Sequence, residues 1–107
     1  MDQEQVIEIA KAYSEKVRIH MDIKKVVLFG SYAKGNSRPE SDIDIAVIVD
    51  EIPGDYLSLA ANLFKFTRNV DDRIEPILLE EGDDPSGFLD EVVKTGHVIY
   101  DFNQLDL

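Results

Sequence analysis

The most constraining stretch of this chain is a seven-residue apolar segment, Ile43–Val49. Its sequence, IDIAVIV, is largely β-branched apart from one carboxylate, which predicts a central strand covered on both faces. Asp42 and Asp44 lie two residues apart at its head, so on a strand both carboxylates leave from the same face, with Cα atoms roughly 6.5 to 7 Å apart. Any fold of this chain must therefore place two like charges at the mouth of a buried strand.

This acidic pair has two interpretations. Carboxylates at this distance repel each other, and one pKa rises unless a cation lies between them. Mg²⁺ supplies that charge and prefers oxygen ligands, together with waters and substrate phosphates. The alternative is that Asp42 ends a loop and Asp44 points to solvent at a strand edge, which is the commoner meaning of an isolated Asp-x-Asp. The neighbouring residues decide between the two.

A glycine turn precedes the acidic pair and first suggests a P-loop. Gly30 and Gly35 are separated by four residues, as that motif requires. Asn36 then stands where the P-loop needs its lysine, and Pro39 stands where it needs a continuous helix. The stretch is therefore not expected to be an orthodox P-loop.

A different phosphate-binding turn fits the same residues better. Gly30 ends an apolar run and allows backbone N–H groups to approach an anion, and Ser31 adds a hydroxyl at the start of a short helical turn. Lys34 and Arg38 are candidates for contacts to a nucleotide triphosphate, since both side chains only donate. An ordinary strand-to-helix turn is the alternative.

Hydrophobic periodicity and turn residues predict the remaining elements. Helices are expected over residues 2–20, 55–70 and 84–96, and further strands over residues 23–29, 73–80 and 97–100. Asp2 and Gln5 have the spacing of a capping box, and Pro76 favours a sheet position where no N–H is needed. The expected fold class is α/β or α+β, a small mixed sheet of about four strands with helices packed against it.

Large apolar and aromatic side chains are expected to have structural roles for the most part. Leu63, Phe64 and Phe66 follow the apolar side of the helix 55–70, so they are expected in the core rather than as a platform for a base. Tyr32 is expected either near a nucleotide base or at the surface.

Composition limits the partners and the compartment. Residues 1–107 are expected to form a single domain, with 44% hydrophobic content. Lys and Arg total 11 against 22 Asp and Glu, and the net charge of −11 disfavours a nucleic-acid partner. No cysteine is present, which excludes thiolate chemistry and fits the reducing cytoplasm. No apolar run approaches the ~18 residues that span a bilayer, so no membrane partner is expected, whereas a homo-oligomer is left open.

The segments GSYAKG (30–35) and SDIDI (41–45) together resemble the signature of the DNA polymerase β-like nucleotidyltransferase superfamily, in particular its minimal nucleotidyltransferases. Residues 87–100 also resemble the end of those short proteins. The resemblance implies a fold like the palm of polymerase β. It also implies that Asp42 and Asp44 bind two Mg²⁺ ions, and that Gly30 and Ser31 hold the triphosphate of ATP.

The resemblance further implies a third carboxylate, on a neighbouring strand, that helps activate the attacking hydroxyl. Glu75 is the best candidate because it lies early in the strand 73–80, and Asp72 is the alternative. The commonest family pattern has Asp at this place, and often Arg where this chain has Lys34. The longer side chain of Glu still reaches a metal ion, so Asp42, Asp44 and Glu75 are the predicted catalytic and metal-binding residues.

Minimal nucleotidyltransferases commonly accompany small helical RNase toxins called HEPN proteins, and some act as antitoxins by transferring AMP from ATP to a tyrosine of the toxin. The resemblance implies that function and that partner here. One alternative is a non-catalytic antitoxin that neutralises a basic partner by contact. Another is transfer to a small molecule such as an aminoglycoside, which needs an acceptor pocket that a chain of this length is not expected to build.

Overall fold

The computed structural model describes residues 2–35, 37 and 41–104 of the chain. These residues form eight main elements, in the order α1 (Gln3–His20), β1 (Lys25–Phe29), α2 (Ser31–Lys34), β2 (Ile43–Val49), α3 (Tyr56–Lys65), β3 (Ile74–Glu80), α4 (Phe88–Thr95) and β4 (His97–Asp101). A 3-10 turn, Phe102–Gln104, follows the last strand. The expected small sheet with helices packed against it is confirmed.

The four strands form one sheet in the order β3-β2-β1-β4. β1 is antiparallel to both of its neighbours, whereas β2 and β3 are parallel and are joined through α3. The sheet is therefore mixed, as expected. Pro76 lies on β3, at the edge of the sheet, where a missing N–H leaves no ladder bond unmade on the open side.

The first helix begins at the predicted capping box. The Asp2 carboxylate accepts a hydrogen bond from the Gln5 amide at 2.8 Å, and the Gln5 side chain accepts one from the Asp2 amide at 3.0 Å. Tyr13 lies on the buried side of α1 and donates its hydroxyl to the Leu63 carbonyl at 2.7 Å, and burial raises its pKa. No helix among the described residues is long and apolar enough to cross a membrane.

The sheet carries a larger and a smaller core on its two faces. The larger core packs against α1 and α3, and its buried members include Val6, Tyr13, Val17, Ile43, Ile45, Val47 and Leu63. On the other face Val92 of α4 packs near Val27, Ala46 and Ile48; we call this side the α4 face. Because side chains alternate along a strand, Asp44 shares the α4 face with Ala46 and Ile48.

Close packing at Gly96 holds α4 against the sheet. A Cβ atom at this position would lie 2.5 Å from Val27 Cγ1 and 2.5 Å from the Val92 carbonyl oxygen, too near for non-bonded atoms. The Gly96 amide donates to that same carbonyl at 2.8 Å and ends the helix. Only glycine permits this approach, and it fixes α4 on the face of the sheet that carries Asp44.

Two predicted helix boundaries were wrong. The helix predicted over 55–70 ends at Lys65, because the Thr67 hydroxyl donates to the Phe64 carbonyl at 2.7 Å and Asn69 adopts a positive φ of 65°. The helix predicted from residue 84 begins at Phe88. Asp84 nevertheless acts as a cap, since its carboxylate accepts hydrogen bonds from the amides of residues 89 and 90 at 2.9 and 3.0 Å. The strands differ from prediction by one or two residues, except β2, whose bounds are as predicted.

Phe64 and Tyr32 also lie where they were not expected. Phe64 is 49% exposed, whereas Leu63 beside it is fully buried, so the assignment of Phe64 to the core was wrong. Phe66 is half-buried and stacks on the His20 ring with centroids 4.6 Å apart. Tyr32 is 2% exposed and belongs to the larger core, so it lies neither at the surface nor open to a base.

Candidate active site

Three chain segments meet at one end of the sheet. β1 ends at Phe29, and β2 and β3 begin nearby at residues 43 and 74. In the sheet register, Asp44 is the partner of Phe29 on one side and of Glu75 on the other. The amide of Ile43 donates to the Arg73 carbonyl at 2.9 Å, which ties the two strand starts together. The structure thus brings Asp44, Glu75 and the turn after β1 to one place.

The Asp44 carboxylate is half-buried, and none of the described residues neutralises it. Burial raises the pKa of this carboxyl group above its ordinary value, and the charges of Asp42 and Glu75 raise it further. Within residues 2–35, 37 and 41–104, no group donates a hydrogen bond to this carboxylate or pairs with it. A buried carboxylate without a partner is costly, and such an arrangement is typical of a functional site.

The other two carboxylates differ from Asp44 in exposure. Asp42 lies one residue before β2 and is exposed, and Glu75 is exposed on β3. Glu75 is on the same face as Asp44 because the two are register partners in a parallel pair. Asp72 precedes the strand, and its charge acts on Arg73 rather than on Asp44. Of the two candidates for a third carboxylate, Glu75 is therefore the one directed at the site.

The glycine turn packs directly against Asp44. Gly30 has φ 76° and ψ −152°, and a Cβ atom at this position would overlap Oδ2 of Asp44. Ser31 begins the short helix α2, in which the Lys34 amide donates to the Gly30 carbonyl at 3.1 Å. Lys34 is exposed at the end of α2, and Arg38 lies outside the described residues. The turn that was expected to hold phosphate thus contacts the carboxylate that was expected to hold metal.

The donor set fits a divalent cation of the Mg²⁺ type. The three side chains offer only carboxylate oxygens, and they repel one another across a half-buried position. In the part of the chain that the structure describes, no group of three or more His, Cys, Asp or Glu side chains is arranged as a cage that could hold a metal ion. Mg²⁺ seldom uses such a cage, since it is commonly held by one or two carboxylates, waters and substrate phosphates.

Sequence reasoning missed an aromatic pair beside the site. Phe29 is the cross-strand partner of Asp44, and its ring meets Phe88 of α4 edge to face, with centroids 5.9 Å apart and planes at 84°. Phe88 is 37% exposed. The two rings form an apolar wall next to the carboxylates. No local pattern indicates this wall, because it depends on strand pairing and on where α4 packs.

A mixed sheet whose central strand presents carboxylates beside a glycine-serine turn defines a nucleotidyltransferase domain. The family described as "Polymerase beta, Nucleotidyltransferase" matches residues 4–105. The chain belongs to this family, and the resemblance seen in residues 30–45 is confirmed. The predicted class of enzyme, a nucleotidyltransferase, is confirmed with it.

Known proteins are similar over most of the chain. A Methanocaldococcus jannaschii protein with the provisional name protein adenylyltransferase is 31% identical over 96 residues, covering 86% of this chain and 96% of the relative. The crystal structure of a provisionally named nucleotidyltransferase from Sulfolobus solfataricus superposes with a TM-score of 0.74 at 25% identity, covering 95% and 86% of the two chains. A crystal structure of a toxin-antitoxin with AMP-PNP superposes with a TM-score of 0.61 at 25% identity, covering 90% and 77%.

Proposed function

We propose that this protein is a Mg²⁺-dependent protein adenylyltransferase that acts as the antitoxin of a HEPN-type toxin by transferring AMP from ATP to a toxin tyrosine. One observation carries the proposal: the Asp44 carboxylate is half-buried between Glu75 and the Gly30 turn, and no residue that the structure describes neutralises it. The names of its relatives support the chemistry and the setting. One is named as a protein adenylyltransferase, and a structural neighbour is a toxin-antitoxin with an ATP analogue.

Each site residue has a role in this proposal. Asp42, Asp44 and Glu75 would hold two Mg²⁺ ions through their carboxylate oxygens. Bound there, the ions supply Lewis acidity that lowers the pKa of the acceptor hydroxyl and offsets charge on the leaving pyrophosphate. Gly30 and Ser31 present backbone N–H groups and a hydroxyl to the triphosphate.

Transfer to a hydroxyl balances without any further reactant. The acceptor oxygen forms a bond to the α-phosphorus of ATP while the bond to the bridging oxygen breaks, and pyrophosphate leaves. The proton of the acceptor hydroxyl passes to Glu75, which is exposed and faces the same side as Asp44. Lys34 and Arg38 offset phosphate charge from the turn. The protein's own contribution is mainly position and electrostatics.

An open site favours an acceptor carried by another macromolecule. Asp42 and Glu75 are both exposed, so the end of the sheet is accessible to a bulky partner. An acceptor tyrosine would also find an apolar wall beside the carboxylates, formed by Phe29 and the partly exposed Phe88. This arrangement fits an aromatic hydroxyl better than a polar sugar.

The direct test is transfer of label from ATP labelled at the α-phosphate. With Mg²⁺ and the toxin encoded beside this protein, we expect label on the toxin, its loss when the acceptor tyrosine is changed to Phe, and none with an Asp42→Asn, Asp44→Asn double variant. An unlabelled toxin, or equal labelling by the double variant, would contradict the proposal.

A second candidate is a non-catalytic antitoxin that neutralises its partner by contact. The net charge of −11 favours it, since an acidic surface complements a basic partner. Neutralisation that survives the double variant but is lost on reversal of surface charges would support contact over catalysis.

The third carboxylate provides a separate prediction. We expect Glu75→Gln to lower the rate of transfer by about 10²- to 10³-fold, because the variant keeps the shape but loses a charged oxygen ligand and proton acceptor. Asp72→Asn is the matched control, three residues away and exposed, and should leave the rate within about twofold. Initial rates at saturating ATP measure both. If Asp72→Asn lowered the rate of transfer more than Glu75→Gln does, Asp72 and not Glu75 would be the third carboxylate.

A further inference from the structure

The outer side of α3 is apolar and faces solvent. Tyr56, Leu57 and Phe64 are 43%, 74% and 49% exposed. Ala61 is also exposed and Ala60 is half-buried between them; we call these five residues the α3 face. The inner side of the same helix already packs on the sheet through Leu63. A helix that is apolar on both sides is ordinarily buried on both, so the α3 face is suited to a second packing partner.

Charge distinguishes this surface from the rest of the molecule. Residues 51–70 contain two acids, Glu51 and Asp55, and two bases, Lys65 and Arg68, and are therefore neutral. Without these four, the totals of 22 acidic and 11 basic residues become 20 and 9, so the remaining chain carries the whole net charge of −11. A basic partner would be attracted to the acidic surfaces elsewhere. The neutral surface is where another acidic molecule of this kind can approach without strong repulsion.

The residues of the α3 face are self-complementary about the middle of the helix. If two α3 helices pack antiparallel with the axis between residues 60 and 61, Leu57 of one faces Phe64 of the other, and the alanines face each other. Small residues at the centre allow the helices to approach closely. The same symmetry brings the acidic start of each helix, at Asp55, near the level of the basic end of its partner, at Lys65.

We propose that the α3 face joins two copies of this chain into a two-fold symmetric dimer with antiparallel α3 helices. Such an interface is isologous, because the same patch serves both copies. The interface is only one helix wide, so it buries less surface than the roughly 1,200 Å² that stable complexes bury. We therefore expect reversible association with a micromolar dissociation constant. The dimer is independent of the adenylyl-transfer proposal and goes beyond it.

The dimer leaves both nucleotide sites open. α3 connects the end of β2 to the start of β3, so its C-terminal end lies at the end of the sheet that holds Glu75. Antiparallel packing therefore directs the two sites to opposite ends of the dimer. Asp44 lies on the α4 face, away from α3, so neither copy covers the site of the other. Each copy in the dimer can therefore bind its own acceptor.

Sedimentation equilibrium over a range of concentrations tests the dimer. We expect the wild type to shift from monomer to dimer, and Leu57→Glu to weaken association at least tenfold while leaving nucleotide transfer unchanged. Ile19→Glu is the matched control, because Ile19 is 79% exposed on α1, outside the α3 face, and should associate as the wild type does. Circular dichroism confirms that both variants are folded. A monomeric wild type at all concentrations, or equal effects of the two variants, would overturn the proposal.

Single cysteines provide a second test, since the chain has none of its own. Under mild oxidation Ala61→Cys should form a covalent dimer, because residues beside the two-fold axis meet their own copies, whereas Ile19→Cys should not. A third outcome is that Leu57→Glu abolishes labelling of the acceptor while the wild type is monomeric. The α3 face would then bind the acceptor, and the dimer would be wrong while adenylyl transfer stood.

Discussion

Asp44→Asn is expected to reduce nucleotide transfer by about 10³-fold or more while the protein stays folded. Asparagine keeps the shape of the side chain but removes the negative charge at the centre of the three carboxylates. Because the Asp44 charge is half-buried and repelled by Asp42 and Glu75, its removal also relieves an unfavourable interaction. The variant should therefore be at least as stable as the wild type in the absence of divalent cations, although it is inactive.

The pH dependence of stability follows from the same carboxylate. The pKa of Asp44 is raised above the ordinary value of 3.8 in the folded protein, so the folded state holds this proton more tightly than the unfolded state. Its contribution to stability is full below the unfolded pKa and is lost as pH rises through the folded pKa. Without Mg²⁺, thermal unfolding of the wild type should show this loss, and Asp44→Asn should not. Added Mg²⁺ with ATP should raise the melting temperature of the wild type more than that of the variant.

Asp50→Asn is the control for Asp44→Asn. Asp50 follows the other end of β2 and makes an exposed ion pair with Lys24 at 3.1 Å, which is worth little to stability. Its replacement should leave transfer within about twofold of the wild type. If Asp44→Asn retained more than about a tenth of the wild-type rate, the central role of this carboxylate would be excluded.

Gly30→Ala is the second change with a large expected effect. The backbone of Gly30, at φ 76° and ψ −152°, is in a region that residues with a Cβ rarely occupy, at a cost of about 1–3 kcal/mol. The added methyl group would also overlap Oδ2 of Asp44, so the turn or the carboxylate must move. We expect the rate of transfer per folded molecule to fall by about 10²-fold, since small displacements of catalytic groups have effects of this size.

Gly35→Ala separates backbone strain from the collision. Gly35 has a similar positive φ of 77°, but a Cβ atom there meets nothing within 4 Å. It should lower stability by about 1–2 kcal/mol, the cost of a left-handed conformation, and leave transfer close to normal. Chemical denaturation and initial rates measure the two effects separately. Equal rates for folded Gly30→Ala and Gly35→Ala would show that contact between the turn and Asp44 does not matter to catalysis.

Much of the local structure was predictable because its causes are local. The β-branched run of β2 determines its bounds, and the reciprocal bonds of Asp2 and Gln5 begin α1 where the capping-box spacing indicates. The end of α3 and the start of α4 were not predictable to the same degree. The first depends on the hydroxyl of Thr67, which donates to the Phe64 carbonyl. The second depends on the Asp84 carboxylate, which accepts hydrogen bonds from amides five and six residues further along the chain.

Burial was less predictable than secondary structure. Phe64 has the neighbours of a core residue in sequence, yet Leu63 faces the sheet and Phe64 does not, because a helix turns 100° with each residue. Tyr32 shows the reverse, since a polar segment carries it into the larger core. Both outcomes are set by the direction in which a short helix packs.

Residues 30–45 alone indicate that a glycine turn and an acidic pair adjoin a buried strand, because these residues are contiguous and their chemistry needs no distant partner. Which acid faces Asp44 depends instead on how the strands pair. Glu75 lies 31 positions further along the chain, beyond the α3 crossover, and parallel pairing aligns it with Asp44. Side chains alternate across a strand, so a shift of one residue in that register would turn Glu75 to the opposite face. The pairing of β2 with β3, rather than any local pattern, therefore completes the site.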